Sequence, residues 1–126
     1  MPITPENNYQ VLPFEITITG KGGHGAMPNK AIDPVVATAA IIQEMSRAAE
    51  AYAAALNFLL IDAGTKFNII PEEVRCIGSL VAATRQSLET CLEDLCLIAE
   101  TSAAAFRCKF SLSLQQTVQE GNANGR

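Results

Sequence analysis

An α+β fold, an antiparallel four-stranded sheet with two helices on one face, is predicted by three observations on this sequence. Two segments repeat apolar residues at helical spacing, others alternate apolar and polar residues as strands do, and the segments follow the order strand, helix, strand, strand, helix, strand. At 126 residues the chain has room for one domain with a single two-layer core.

The first strand is Phe14 to Thr19, where Phe14, Ile16 and Ile18 alternate with Glu15, Thr17 and Thr19. A glycine-rich loop follows, and Asp33-Pro34 marks a helix start, an N-cap residue before proline at the first helical position. Val35, Ala39, Ile42, Met45 and Ala49 recur on one face of this helix, away from Gln43, Glu44 and Arg47, and it ends near Glu50. Ala54 to Ile61 runs as a mostly buried second strand. Turns at Ala63 to Lys66 and Pro71 to Glu73 lead to the third, where Val74, Cys76, Gly78, Leu80 and Ala82 face away from Arg75, Ile77 and Ser79. Gly78 in mid-strand points to close packing against the sheet.

Thr84 is an N-cap for the second helix, in which Leu88, Cys91, Leu92, Leu95, Ile98, Ala99, Ser102 and Phe106 keep the period for about six turns. The last strand, Cys108 to Gln115, alternates Phe110, Leu112 and Leu114 with Lys109, Ser111 and Ser113. Glu120 to Arg126 has no apolar anchor. The domain proper is therefore expected over 14–116, between flexible junctions at 1–13 and 117–126.

This order matches the split βαβ arrangement of ferredoxin-like folds, with the first and third strands central and the second and fourth at the edges. An apolar edge such as Leu56 to Ile61, lacking Lys or Pro, is a pairing hazard. A homodimer joined through that strand resolves it.

Composition narrows the function. With 48% hydrophobic and 17% charged residues the chain is globular, and a net charge of -4 opposes a phosphate-tracking surface, so no nucleic-acid partner is expected. The apolar run Ala51 to Ile61 is too short to span a bilayer and is interrupted by Asn57, so no membrane partner is expected either. Met1 to Gln10 does not resemble a signal peptide. Cys76, Cys91, Cys96 and Cys108 form no CxxC pair and read as buried free thiols in a reducing, cytoplasmic setting. A structural zinc has no clustered ligand set here, and no metal site is expected in this chain.

His24 is the only histidine, and it lies in the loop Gly20-Lys21-Gly22-Gly23-His24-Gly25. These residues satisfy G-x-G-x-x-G, but the helix cap at Asp33 lies too far beyond Gly25 for free helical N–H groups to meet a pyrophosphate. A P-loop is excluded because no Gly-Lys-Ser/Thr ends the loop. As a general base His24 makes half a site, with no recognisable nucleophile or orienting carboxylate at a motif spacing. Glu72-Glu73 reads as solvated surface. The residues alone favour an ordinary exposed histidine.

The string Gly20-Lys21-Gly22-Gly23-His24-Gly25-Ala26-Met27-Pro28, then Ala31-Ile32-Asp33-Pro34-Val35, Ser46-Arg47 and Gly64-Thr65-Lys66-Phe67-Asn68-Ile69-Ile70-Pro71, resembles the lid or dimerisation domain of the di-zinc amidohydrolases, in the aminoacylase and glutamate carboxypeptidase family of metallopeptidases. The similarity covers about Phe14 to Gln116. It implies an inserted domain of an enzyme that hydrolyses N-acyl amino acids or similar amides, with two zinc or similar divalent ions in a catalytic domain missing here. This chain alone is then expected to be inactive.

The resemblance further implies that His24 reaches into the partner's active site and donates a hydrogen bond to the scissile carbonyl oxygen as water attacks. It makes Asn68, Gly23 and Gly25 substrate-binding residues. Two positions depart from the family pattern: Val81 stands where an arginine often binds the substrate carboxylate, and Leu59 replaces a glycine of the second strand. Arg85, at the start of the second helix, does not take over the arginine's role. The alternative is a free-standing ferredoxin-like module that binds a small ligand or a partner protein.

Overall fold

The alternation that defines the first strand continues back through Leu12, which is buried, and the strand runs Tyr9–Thr19 (β1). The computed structural model, which describes residues 9–24, 32–64, 69–114 and 119–121, continues with Gly23–His24 (β2), Pro34–Glu50 (α1), Ala55–Asp62 (β3), Ile69–Ile70 (β4), Glu73–Ala82 (β5), Arg85–Ala105 (α2), Lys109–Leu114 (β6) and Gln119–Gly121 (β7). The main sheet has the order β3-β5-β1-β6, antiparallel throughout. The expected ferredoxin-like α+β class is observed, with β1 and β5 in the centre.

Three short strands extend that plan. β2 pairs with β4, and β7, within the span expected to be a junction, pairs with Tyr9–Val11 on the side of β1 that β6 occupies further along. Leu12, Phe14, Ile16 and Ile18 of β1 join Val74, Cys76 and Leu80 of β5 under the helices. The helices contribute Ala37, Ile41 and Met45 from α1 and Leu88, Cys91, Leu95 and Ala99 from α2.

Both helix starts are set as the sequence predicts. Asp33 accepts a bond from the Val35 amide at 2.9 Å with Pro34 at the first position, and the Thr84 hydroxyl accepts one from the Ser87 amide at 3.0 Å. The face that α1 buries includes Met45 and Ala49 as expected but differs from the expected one over the first two turns. Residues 35–42 are apolar except for Thr38, so two adjacent columns fit the helical period, and the column through Ala37, Ile41 and Met45 is the buried one. Thr38 joins it because its hydroxyl donates to the Pro34 carbonyl at 2.6 Å, whereas Val35 is 42% exposed. On α2 the expected period holds up to its last member, Phe106, which caps the helix and is exposed.

Both helices stop without a glycine. Ala53 and Arg107 have φ of 54° and 60°, and each is followed by a residue whose amide closes a six-residue turn, Ala54 to the Ala49 carbonyl and Cys108 to the Ala103 carbonyl. These are Schellman endings, in which the left-handed position ordinarily favours glycine.

Gly78 explains its place in the middle of β5. It lies opposite Phe14 on one side and Phe58 on the other, and the two rings meet edge to face with centroids 5.8 Å apart. A Cβ on Gly78 would stand 3.1 Å from the Phe14 ring and collide with the Asn57 carbonyl. The strand β3 itself is less buried than expected. Its register to β5 shifts between Phe58 and Leu60, so Leu59 is an extra residue, and past it the strand exposes Leu59, Leu60 and Ile61.

On the face away from the helices Arg75 links three strands, with Glu15 of β1 at 3.5 Å and Asp62 of β3 at 3.6 Å. All four cysteines are free thiols, and all but the half-buried Cys96 are buried. Burial pushes the Cys91 thiol up to about 11 from an ordinary value of 9.0.

Glycine at position 53 or 107 relieves a strained backbone at some cost in chain entropy, and each single replacement is expected to raise stability by about 0.5 kcal/mol, a melting rise of about 2 °C. The Cys91 thiol keeps in the fold a proton that the unfolded chain releases, so stability falls as pH rises from 9.0 toward about 11. Melting curves across that range should show the fall, and Cys91→Ala should make it shallower.

Candidate functional site

The path from β1 to His24 extends the central ladder. Thr19 is the last residue of β1 and lies opposite Glu73; the pairing resumes with Gly23 opposite Ile70 and His24 opposite Ile69. One more residue intervenes on the His24 strand than on its partner, so the chain bulges at Gly20 to Gly22. The Gly20 amide donates to the Glu72 carbonyl at 2.8 Å, while Lys21 and Ile32 exchange both backbone bonds at 2.8 and 2.9 Å. His24 is thus carried on a strand whose neck is held from two sides.

This arrangement joins the two sequence motifs. Gly23 and His24 of the first pair with Ile70 and Ile69 of the second, next in sequence to Asn68. Asn68 and Gly25 lie outside the described residues. Sequence reasoning did not find this pairing, since two-residue strands carry no period; the β-branched Ile69-Ile70 before Pro71 is the available signal.

An open cleft of about 360 Å³ lies beside the same segment, lined by Asp62, Gly64, Pro71, Glu72, Glu73 and Arg75 among others. Glu72 and Glu73 are exposed. Arg75 is the only cation among the described lining residues, and it already faces Glu15 and Asp62. Val81 is half-buried between Val11 and Ala55, and Arg85 is turned to Glu89 at 3.3 Å on the exposed side of α2. Among the described residues no three His, Cys, Asp or Glu side chains converge to hold a metal ion, so these residues do not fit a zinc site. Among them, too, no helix is long and apolar enough to cross a membrane.

The family model described as the peptidase dimerisation domain matches residues 9–107. The chain belongs to that family. This peptidase dimerisation domain is 31% identical over 98 residues to the N-acetylcysteine deacetylase of Bacillus subtilis, a match covering 74% of the chain and 26% of the relative. It is 32% identical over 113 residues to IAA-amino acid hydrolase ILR1-like 2 of Arabidopsis thaliana, covering 85% and 25%, respectively. For the N-acetyldiaminopimelate deacetylase of Enterococcus faecalis the identity is 34%, with coverage of 80% and 28%.

The chain therefore spans about a quarter of the length of the curated relatives it matches. The fold recurs in a hydantoinase/carbamoylase family amidase from Burkholderia ambifaria, with a TM-score of 0.82 at 15% identity over 88% of this chain and 28% of the other. Aminopeptidase PepT from Bacillus cereus gives 0.74 at 18% identity over 86% and 29%. The family suggested by the two loop motifs is the one found.

Proposed function

We propose that this peptidase dimerisation domain closes over the active site of a di-zinc amidohydrolase acting on N-acyl amino acids or similar amides, and completes that site from the partner protomer. Support comes above all from the β2–β4 pairing, which couples the His24 loop to the segment following Asn68. Lewis-acid activation of water and amide would come from two zinc ions in a catalytic domain outside this chain. What this chain supplies is a hydrogen-bond donor.

As water adds to the scissile amide, charge gathers on the carbonyl oxygen, and the His24 imidazole N–H donates to it more strongly than to the neutral substrate. Asn68 would orient the substrate's polar groups with a neutral amide. Gly23 and Gly25 let the backbone approach the substrate closely. With Val81 in place of an arginine, the substrate carboxylate is bound by other groups or is absent. The free thiols suit a cytoplasmic enzyme. An inserted domain of 14–116 needs junctions that leave together, a requirement consistent with Tyr9–Val11 pairing with Gln119–Gly121.

Self-association belongs to the same reading. The outer edge of β3 has no strand against it among the described residues, and Leu59, Leu60 and Ile61 are 73%, 47% and 54% exposed there. A second copy pairing edge to edge would continue the sheet across a two-fold axis and cover these side chains.

In the complete hydrolase, His24→Ala should lower kcat on the order of a hundredfold or more, with zinc content and dimer mass unchanged. Full activity in that variant refutes the role of His24. Replacing Leu60 and Ile61 together by lysine should shift sedimentation from dimer toward monomer while leaving the melting temperature of the 126-residue chain close to its original value. An unchanged dimer would place the interface elsewhere.

A further inference from the structure

We infer that Gly20 and Gly22 are positioning residues for His24, acting by leaving room for the backbone clasp that holds its strand. This rests on the proposed role of His24 and deepens it. The clasp has two jaws. One is Ile32, bonded to Lys21 through both backbone groups, immediately before the cap and first turn of α1; the other is residues 69–72, which receive Gly20, Gly23 and His24 and lead into β5.

The two glycines lie where these jaws come closest. A Cβ on Gly20 would collide with the Ile32 carbonyl oxygen and stand 3.0 Å from the Pro34 ring. One on Gly22 would stand 2.8 Å from the Ile70 carbonyl oxygen and 3.3 Å from the Glu72 nitrogen. The first obstacle in each case is backbone, which cannot swing aside as the end of a long side chain can. Neither glycine occupies the left-handed region, so what they supply is space. A methyl group at either position forces a jaw open, and the strand leaving the β1–β5 ladder loses its fixed path to His24. The collisions of Gly22 involve loop backbone alone, while those of Gly20 also reach the buried Pro34 at the first position of α1, so Gly22 is the cleaner position for the test.

The consequence is a loss of catalytic geometry without a loss of fold. Displacing a reacting group by about 1 Å costs on the order of a hundredfold in rate.

The test combines two measurements on Gly20→Ala and Gly22→Ala. In the 126-residue chain, amide hydrogen exchange should speed up at Lys21, His24 and Ile32 and stay slow at Ile16 and Cys76 in the core. In the complete hydrolase, kcat should fall at least tenfold with KM little changed, and Gly22→Ala combined with His24→Ala should be no slower than His24→Ala alone. Unchanged exchange and unchanged kcat overturn the inference, as does a double variant whose losses multiply, which would mean that Gly22 acts apart from His24. If His24→Ala is fully active, the proposed role of His24 fails, and with it the positioning role. If His24→Ala is slow but the glycine variants are not, the positioning inference alone fails.

Discussion

The pairing of β1 with β5, unbroken from Gln10 opposite Ala82 to Thr19 opposite Glu73, is the constraint from which the other parts take their places. Its even register puts Leu12, Phe14, Ile16 and Ile18 on the same face as Val74, Cys76 and Leu80, and both helices pack on that face. A slip of one residue would turn this apolar set to solvent, so the hydrophobic pattern itself fixes the register. The same ladder sets the opposite face, where Arg75 lies between carboxylates from both neighbouring strands. Exposed ion pairs add little energy, but charges so placed disfavour alternative registers.

The ladder also determines where the candidate site can be. After Thr19 it is interrupted by three residues on one strand against two on the other and then continues as Gly23–His24 against Ile69–Ile70, so the loop bearing His24 extends from the most firmly paired strands of the domain. A functional loop built on such a stem inherits its position from the core. Opposite β1, β5 carries β3 with its bulge at Leu59 and its exposed apolar end, while β6 forms the other edge of the sheet and β7 pairs with the start of β1.

Much of this was legible in the sequence where one physical signal acted alone. Alternation marked the central strands, Asp33-Pro34 and Thr84 marked the helix starts, and the long apolar period of α2 marked its buried face. Reading failed where signals overlapped or were too short. The apolar stretch 35–42 admits two helical faces, and the choice depends on how α1 meets the sheet. The bulge at Leu59 shifts the register of β3 from within, and the Schellman endings at Ala53 and Arg107 lack the glycine that would have announced them. For the site, the family resemblance pointed to His24 and the order of the motifs, but the pairing of His24 with Ile69 joins segments far apart in the chain, which no local pattern encodes.

The short pairing of Tyr9–Val11 with Gln119–Gly121 bears on how this fold sits in any larger protein. Paired strands place Tyr9 and Gly121 opposite each other, with Cα atoms about 5 Å apart. A host chain interrupted at that point closes a gap of a few residues' span, whereas an unstructured insert of roughly a hundred residues would cost about 3 kcal/mol more in loop-closure entropy. Inserted in a larger protein, the folded domain would be thermodynamically a small loop, and the folding of the surrounding chain would not depend on its length.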